Sequence, residues 1–192
     1  RLGGKSYAMG LAAIAVPAAS GYPALFGFMS MNAFDIVFVT AFLLILSNIF
    51  EKPTPARWIA LGLIAGIGIQ TKLTMLIVGF ATLVAMIASR QRRHLATPWP
   101  YIAGGIAFLI FLPNIIWQIV HGFPTLEFIR NAQQFKITAL SPFEFLIQVT
   151  IGLNPLLLPL WLGGVVFLLS RRSPGWPRTL GLLLLIAFSV YL

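Results

Sequence analysis

The chain has 192 residues, of which 59% are hydrophobic and only 9% are charged, and its mean hydropathy is +0.94. A soluble domain needs far more polar surface, so this composition indicates an integral membrane protein. The net charge of +9 is explained by basic loops that follow the positive-inside rule, and nucleic acid is not expected as a partner. The sequence contains no cysteine, which excludes disulfides and thiolate metal sites.

The sequence begins at Arg1 and ends inside the apolar run that starts at Leu180. We interpret it as an internal fragment of a longer membrane protein. Its first apolar segment, residues 7–29, is interrupted by Pro17, Gly21 and Pro23, so a kinked or broken helix is predicted there. The next predicted span covers residues 34–50, with Asp35 in its first turn.

Residues 58–88 form a long apolar stretch with a single charge, Lys72, near the middle. As one straight helix the stretch would measure about 46 Å at roughly 1.5 Å per residue, against about 30 Å of membrane hydrocarbon. Two short helices that meet near Gln70–Thr74 fit the membrane thickness better, and they place Lys72 at a water-exposed tip between them. Gly62 and Gly66 in the first of these helices are typical of a close helix–helix contact.

The rest of the chain continues the alternation of apolar segments and polar loops. A crossing is predicted over 101–119, a polar outer loop over about 120–143, a broken crossing over 146–169 and a further span from Thr179. The predicted fold is therefore an all-α, polytopic transmembrane bundle. It has about six to seven membrane segments, including the 58–88 hairpin, in a single domain that covers residues 1–192.

Counting the basic residues tests this topology. If residues 58–88 double back, ten of the 13 Lys and Arg residues fall in loops on one side of the membrane, and the loop bias assigns that side to the cytoplasm. A single crossing would split these loops between the two sides. The other three basic residues, Lys72, Arg130 and Lys136, then lie at the outer face.

The same topology gathers six candidate site residues at the outer face. They are Asp35, Lys72, His121, Glu127, Arg130 and Lys136. Each also has an ordinary structural interpretation. Asp35 can complement a helix dipole, Lys72 can snorkel to the interface, and His121 can be a plain loop residue. Glu127 and Arg130, three residues apart, can simply pair with each other.

Several familiar chemistries are missing from the sequence. It contains no Walker loop and no dinucleotide-binding fingerprint. Its two histidines lack the spacing of a zinc site. We therefore predict no metal site and no cofactor.

Four features occur together in a fixed order. They are a Leu-Gly-Gly start followed by an acidic residue that opens the next span (2–4 and Asp35), and the blocks 62–76, 113–131 and 154–169. In this order and spacing the chain resembles the bacterial membrane glycosyltransferases of the dolichyl-phosphate-mannose protein mannosyltransferase type, family 39. The block 113–131 is the most specific part of the resemblance.

The resemblance implies a multi-span transferase of the GT-C architecture in the inner membrane, with a periplasmic active face. Such enzymes move a sugar from a polyprenyl phosphate to a lipid, glycan or protein acceptor. Lys72 matches the family's lysine near the donor phosphate, and Asp35 matches an acidic position. The family's acidic motif in the first outer loop would precede Arg1.

Glycosyl transfer from a phosphate donor needs a carboxylate for the acceptor proton and a cation for the leaving phosphate. We therefore assign Asp35 and Glu127 as candidate catalytic residues. The candidate substrate-binding residues are Lys72, His121, Arg130 and Lys136.

Two other functional classes fit the sequence. Broken helices and an intramembrane charge also occur in transporters and lipid flippases, although an inverted repeat, which would favour them, is not visible. A non-catalytic membrane subunit is the third possibility.

Overall fold

A computed structural model describes residues 6–19, 21–27, 29–135, 140–170 and 175–190. Across these ranges the chain is helical, with no strand, and this confirms the predicted all-α class. The α-helices are α1 (Ser6–Ala18), α2 (Gly21–Phe26), α3 (Met31–Glu51), α4 (Pro55–Thr71), α5 (Thr74–Ile87), α6 (Trp99–Val120), α7 (Pro124–Phe135), α8 (Pro142–Gly152), α9 (Leu158–Leu169) and α10 (Trp176–Ser189). Two 3₁₀ helices span Arg90–Ala96 and Pro155–Leu157.

Helix breaks occur where the sequence predicts them. The first apolar segment is divided into α1 and α2. The crossing predicted over 146–169 breaks at Asn154, which has a φ of 68°, and the chain bends by 94° between α8 and the segment Pro155–Leu169. Asparagine tolerates this left-handed conformation, and Pro155 has no N–H to continue the preceding helix.

One predicted boundary is wrong in a way that affects Asp35. Helix α3 begins at Met31, not at 34. Asp35 is therefore the fifth helical residue and lies beyond the first turn, where a carboxylate would interact best with the helix dipole. Its ionic partner must be sought elsewhere.

The buried core is formed mainly by α3, α4, α5 and α10. Fully buried side chains in it include Leu46 and Ile49 of α3, Met75 of α5 and Thr179 of α10. Large apolar side chains, among them Leu109 of α6, remain exposed on the outside of the bundle. An apolar exterior of this kind is expected of a protein that lies in lipid.

Helices α4 and α6 run parallel and touch through small residues. A Cβ atom added at Gly62 would lie 2.5 Å from the carbonyl oxygen of Ala103, and one at Gly66 would lie 3.1 Å from Cα of Ala107. One turn further on, Gln70 Nε2 donates a hydrogen bond of 2.7 Å to the carbonyl oxygen of Ile110. The close contact predicted for the two glycines is confirmed.

The chain doubles back between α4 and α5. Trp58, near the start of α4, and His94, beyond the end of α5, have ring centroids 6.0 Å apart. The His94 ring also stacks on Phe50 at 5.9 Å. A straight helix would separate residues 58 and 94 by about 54 Å at 1.5 Å per residue, so these contacts require the reversal predicted near Gln70–Thr74.

The six to seven membrane segments predicted are not confirmed in the described part of the chain. By length and composition, two of the described helices, α3 and α6, can each cross a membrane. Counting each of two bent helix pairs as one span raises the number to four. The reason is length, because α4 and α5 have 17 and 14 residues, whereas a crossing needs about 20.

Basic residues gather at the end of the bundle where Trp58 meets His94. Thr179 Oγ1 donates a 3.0 Å hydrogen bond to Ser89 Oγ at the same end, which brings the start of α10 to the end of α5. Six of the ten basic residues assigned to one side of the membrane therefore lie together, and they are Lys52, Arg57, Arg90, Arg92, Arg93 and Arg178. The other four lie outside the described residues. We call this end of the bundle the basic end.

The α4–α6 contact yields a test with a matched control. Gly62→Ala should lower the unfolding free energy in detergent by about 1–3 kcal/mol, because the added methyl group forces the two backbones apart. In contrast, a Cβ at Gly105 of α6 meets nothing within 4 Å, so Gly105→Ala should leave stability unchanged or slightly raised. Equal effects of the two substitutions on thermal unfolding would contradict this helix contact.

Candidate functional site

Lys72 lies where α4 ends and the chain reverses. Its backbone N–H donates a 2.9 Å hydrogen bond to the carbonyl of Gly68, which closes the last turn of α4. The residue itself is extended, with φ −159° and ψ 139°, and α5 starts two residues later. The side chain is therefore free to turn toward the neighbouring helix α3.

The Lys72 ammonium contacts two side chains of α3. Its Nζ lies 3.0 Å from Asn32 Oδ1 and 3.7 Å from Asp35 Oδ2. Asn32 and Asp35 stand three residues apart, so both project from one side of α3. Lys72–Asp35 is the one salt bridge in the described part of the chain. We call Asn32, Asp35 and Lys72 the lysine cluster.

The members of the lysine cluster differ in exposure. Asp35 is 7% exposed, and its Oδ1 is buried without a hydrogen-bond partner among the described residues. The Lys72 side chain is 37% exposed. An ammonium group has three N–H donors. Asn32 Oδ1 accepts one of them, whereas Asp35 Oδ2, at 3.7 Å, balances the charge without a hydrogen bond. The partly exposed ammonium therefore keeps donor capacity for an anionic oxygen.

Asn32 is absent from the candidates named from the sequence. A lone asparagine at the start of a helix gives no chemical signal, since it also serves well as a cap or in a turn. Its position three residues before Asp35 puts it on the same side of α3 as that carboxylate. This spacing could have identified Asn32 as a partner of Lys72 only if the packing of α3 beside α4 had been known.

His121 lies apart from the lysine cluster. It is exposed at the end of α6, its Nδ1 lies 2.8 Å from the carbonyl oxygen of Trp117, and its ring stacks on Trp117 at 4.6 Å. Ile110 of α6 accepts the Gln70 hydrogen bond and therefore lies beside the end of α4. His121 lies about 16 Å further along the axis of α6, at 1.5 Å per residue. The predicted outer-face grouping is therefore spread out.

Glu127 and Arg130 lie on α7, inside the predicted outer loop. Both are exposed, and neither forms a salt bridge with another described residue. The simple Glu127–Arg130 pair considered from the sequence is therefore not present. Lys136, the sixth candidate, lies outside the described residues.

No group of three His, Asp or Glu side chains close enough to hold a metal ion occurs in the described ranges. The lysine cluster combines one cation, one carboxylate and one amide. Such a set suits recognition of a phosphate or another anion more than coordination of a metal.

The apolar helical bundle, with a polar cluster at the end opposite its basic loops, defines a membrane-embedded protein. Residues 3–117, more than half of the chain, match the family model of dolichyl-phosphate-mannose-protein mannosyltransferase. The chain belongs to this family and is a membrane glycosyltransferase of the GT-C type. No curated protein and no solved structure matches it significantly.

The matched region contains all three residues of the lysine cluster and ends just before His121. It includes Gly3 and Gly4, Asp35 and the block 62–76, but only the first residues of the block 113–131. The resemblance of residues 154–169 lies outside the match and stays a prediction.

The lysine cluster yields a stability test. Lys72→Met should lower the unfolding free energy by about 1–3 kcal/mol, because it leaves Asp35 buried without its cation. Asp35→Asn combined with Lys72→Met should recover part of that loss, with a coupling energy above about 0.5 kcal/mol. Thermal unfolding of the single and double variants measures it.

Lys52 is exposed at the basic end and supplies the control for this cycle. Lys52→Met should leave stability nearly unchanged, since an exposed charge contributes little. Strictly additive effects at positions 35 and 72 would show that the two side chains do not interact.

Proposed function

We propose that this protein transfers a sugar from a polyprenyl-phosphate donor to a lipid, glycan or protein acceptor at the outer face of the inner membrane. The observation that carries the proposal is the partly exposed Lys72 ammonium, held by Asn32 and Asp35 at the end of the bundle opposite the basic residues. Membership of the mannosyltransferase family supports the reaction class.

The distribution of charge supports the proposed sidedness. Six described basic residues share the basic end with one acidic residue, Glu51. Basic loops are enriched on the cytoplasmic side of membrane proteins, which favours a cytoplasmic basic end and an outer position for Lys72. A donor phosphate carried by a membrane lipid can meet Lys72 at the interface without entering the hydrocarbon.

In the proposed reaction an acceptor hydroxyl attacks the anomeric carbon of the sugar while the bond to the phosphate oxygen breaks. The phosphate leaves with the bonding electron pair, and negative charge develops on its oxygens. Lys72 would stabilise that charge through its remaining N–H donors, because a fixed cation near a developing anion lowers the barrier. Asn32 and Asp35 would position the ammonium.

The acceptor proton must pass to a carboxylate, and Asp35 and Glu127 are the candidates from this chain. Contact with Lys72 favours a positioning role for Asp35, while exposed Glu127 can reach an acceptor in water. His121, Arg130 and Lys136 are proposed as further contacts to the sugar or the phosphate. A carboxylate in the first outer loop, as the family resemblance implies, would be the principal base.

Activity of the intact protein tests the role of Lys72. Lys72→Ala should reduce transfer from polyprenyl-phosphate sugars by about 10²–10³-fold, the effect expected for removing one group that stabilises transition-state charge. Lys72→Arg should recover part of the rate because it keeps the charge. The exposed Arg92 of the basic end serves as control, and Arg92→Ala should retain full activity.

Undiminished transfer by the Lys72→Ala variant would remove the phosphate role while leaving the reaction class in place. A wild-type protein that turns over no polyprenyl-phosphate sugar, but moves a lipid across vesicle membranes, would instead replace the proposed function by transport.

Sidedness is tested with single-cysteine variants, since the sequence contains no cysteine. Leu73, beside Lys72, and Arg92, at the basic end, are both exposed. In intact cells a membrane-impermeant maleimide should label Leu73→Cys and spare Arg92→Cys, whereas inverted vesicles should show the reverse. Labelling of Leu73→Cys only from the cytoplasmic side would overturn the proposed outer-face site.

A further inference from the structure

An apolar cavity of about 290 Å³ lies between α4, α5 and α6. Gly62 and Gly66 hold α4 close to α6, while α5 stands off from both and packs against α10. The walls include Leu61 and Ile69 of α4, Gly79 and Phe80 of α5, and Gly104 of α6. Thr82 is the one hydroxyl-bearing residue among the lining residues, so the cavity suits a hydrocarbon chain.

A second, more polar pocket of about 210 Å³ adjoins this cavity at the basic end. Its lining includes Thr54, Trp58, His94, Thr97 and Trp99. Trp58 lines both cavities, so the apolar space and the polar one are adjacent. At the opposite end the apolar cavity is bounded by Ile69, Met75 and Leu76, none of which offers a polar group.

Two exposed basic residues are chain neighbours of residues that line the polar pocket. Lys52 directly precedes its Pro53 wall, Arg93 directly precedes its His94 wall, and both side chains are exposed. Arg57 is already engaged, since its Nη1 donates to the carbonyls of Asn48, at 2.7 Å, and Lys52. It thereby fixes the turn between α3 and α4. Burial, together with Arg93, lowers the pKa of His94, so the positive charge here comes from lysine and arginine.

The apolar cavity extends along most of α4. Its α4 wall runs from Trp58 to Ile69, about 16 Å at 1.5 Å per residue. A hydrocarbon chain that enters from the basic end can therefore lie along most of this helix and ends before Lys72.

We propose that this protein binds an anionic phospholipid of the cytoplasmic leaflet, with one acyl chain between α4, α5 and α6 and the phosphate beside Lys52 and Arg93. This lipid is distinct from the sugar donor, whose phosphate is assigned to Lys72 at the other end of α4. Its binding does not depend on the transfer reaction. The lipid fills the gap that the close α4–α6 contact leaves beside α5.

The proposal is tested with the purified protein in detergent. Native mass spectrometry measures how tightly it binds phosphatidylglycerol and phosphatidylcholine. Phosphatidylglycerol should bind at least about tenfold more tightly, from an attraction of about 1 kcal/mol per nearby Lys or Arg. Equal retention of the two lipids would overturn the headgroup assignment.

The acyl-chain site is tested by filling it. A Cβ at Gly79 or at Gly105 meets nothing within 4 Å, so either position accepts a side chain without a backbone clash. Only Gly79 lines the cavity. Gly79→Leu should therefore weaken phosphatidylglycerol binding about tenfold or more, and Gly105→Leu should leave it unchanged. Equal binding by the two variants would contradict the site.

The headgroup site is tested by removing single charges. Lys52→Gln and Arg93→Gln should each weaken phosphatidylglycerol binding about fivefold and leave phosphatidylcholine binding unchanged. Arg92, exposed at the same end but adjacent in the chain to no residue of the pocket lining, is the matched control, and Arg92→Gln should have no effect. A polyprenyl phosphate that loses affinity in Gly79→Leu, while phosphatidylglycerol does not, would assign the cavity to the donor and overturn the proposal.

Discussion

The arrangement of this bundle depends on where one ammonium group can be placed. Lys72 is the single charge in an apolar stretch that is too long for one crossing, and at the centre of a bilayer it would cost about 2.5–3.5 kcal/mol on insertion scales. Because α4 ends at this residue, the charge lies at a helix end and not in the middle of a continuous apolar helix. There Asn32 and Asp35 of α3 meet the charge, and the chain returns as α5.

The reversal also determines how the neighbouring helices pack. Glycines at positions 62 and 66 let α6 approach α4 until backbone touches backbone, so α6 occupies one side of α4 while α3 covers another. Helix α5 packs mainly against α10. The space left between α4 and α5 is apolar inside and has exposed basic residues near it at the basic end. Both proposed sites lie along α4.

Family membership and geometry concern the same part of the chain. The match to the mannosyltransferase family covers residues 3–117, which include α3, α4, α5 and most of α6, and the first three of these helices contribute most of the buried core. The lysine cluster falls within that region. His121, Glu127 and Arg130 lie beyond it on a separate helix end and on α7, which explains why the structure does not join them to Lys72.

Four features could be predicted from the amino-acid sequence. They are the membrane-protein class, the all-helical fold, the helix breaks near Asn154 and after α1, and the reversal near Lys72. These features follow from local chemistry, because apolar length, proline, asparagine and a lone charge act on their own segment of the chain. The sequence did not determine the span count, because a 17-residue helix and a full crossing look alike until their ends are known. Nor did it reveal Asn32 or the cavity beside α5. The role of Asn32 and the shape of the cavity depend on which helices pack together. The contact of Gly62 with Ala103 and the packing of α3 against α4 are visible only in the three-dimensional structure.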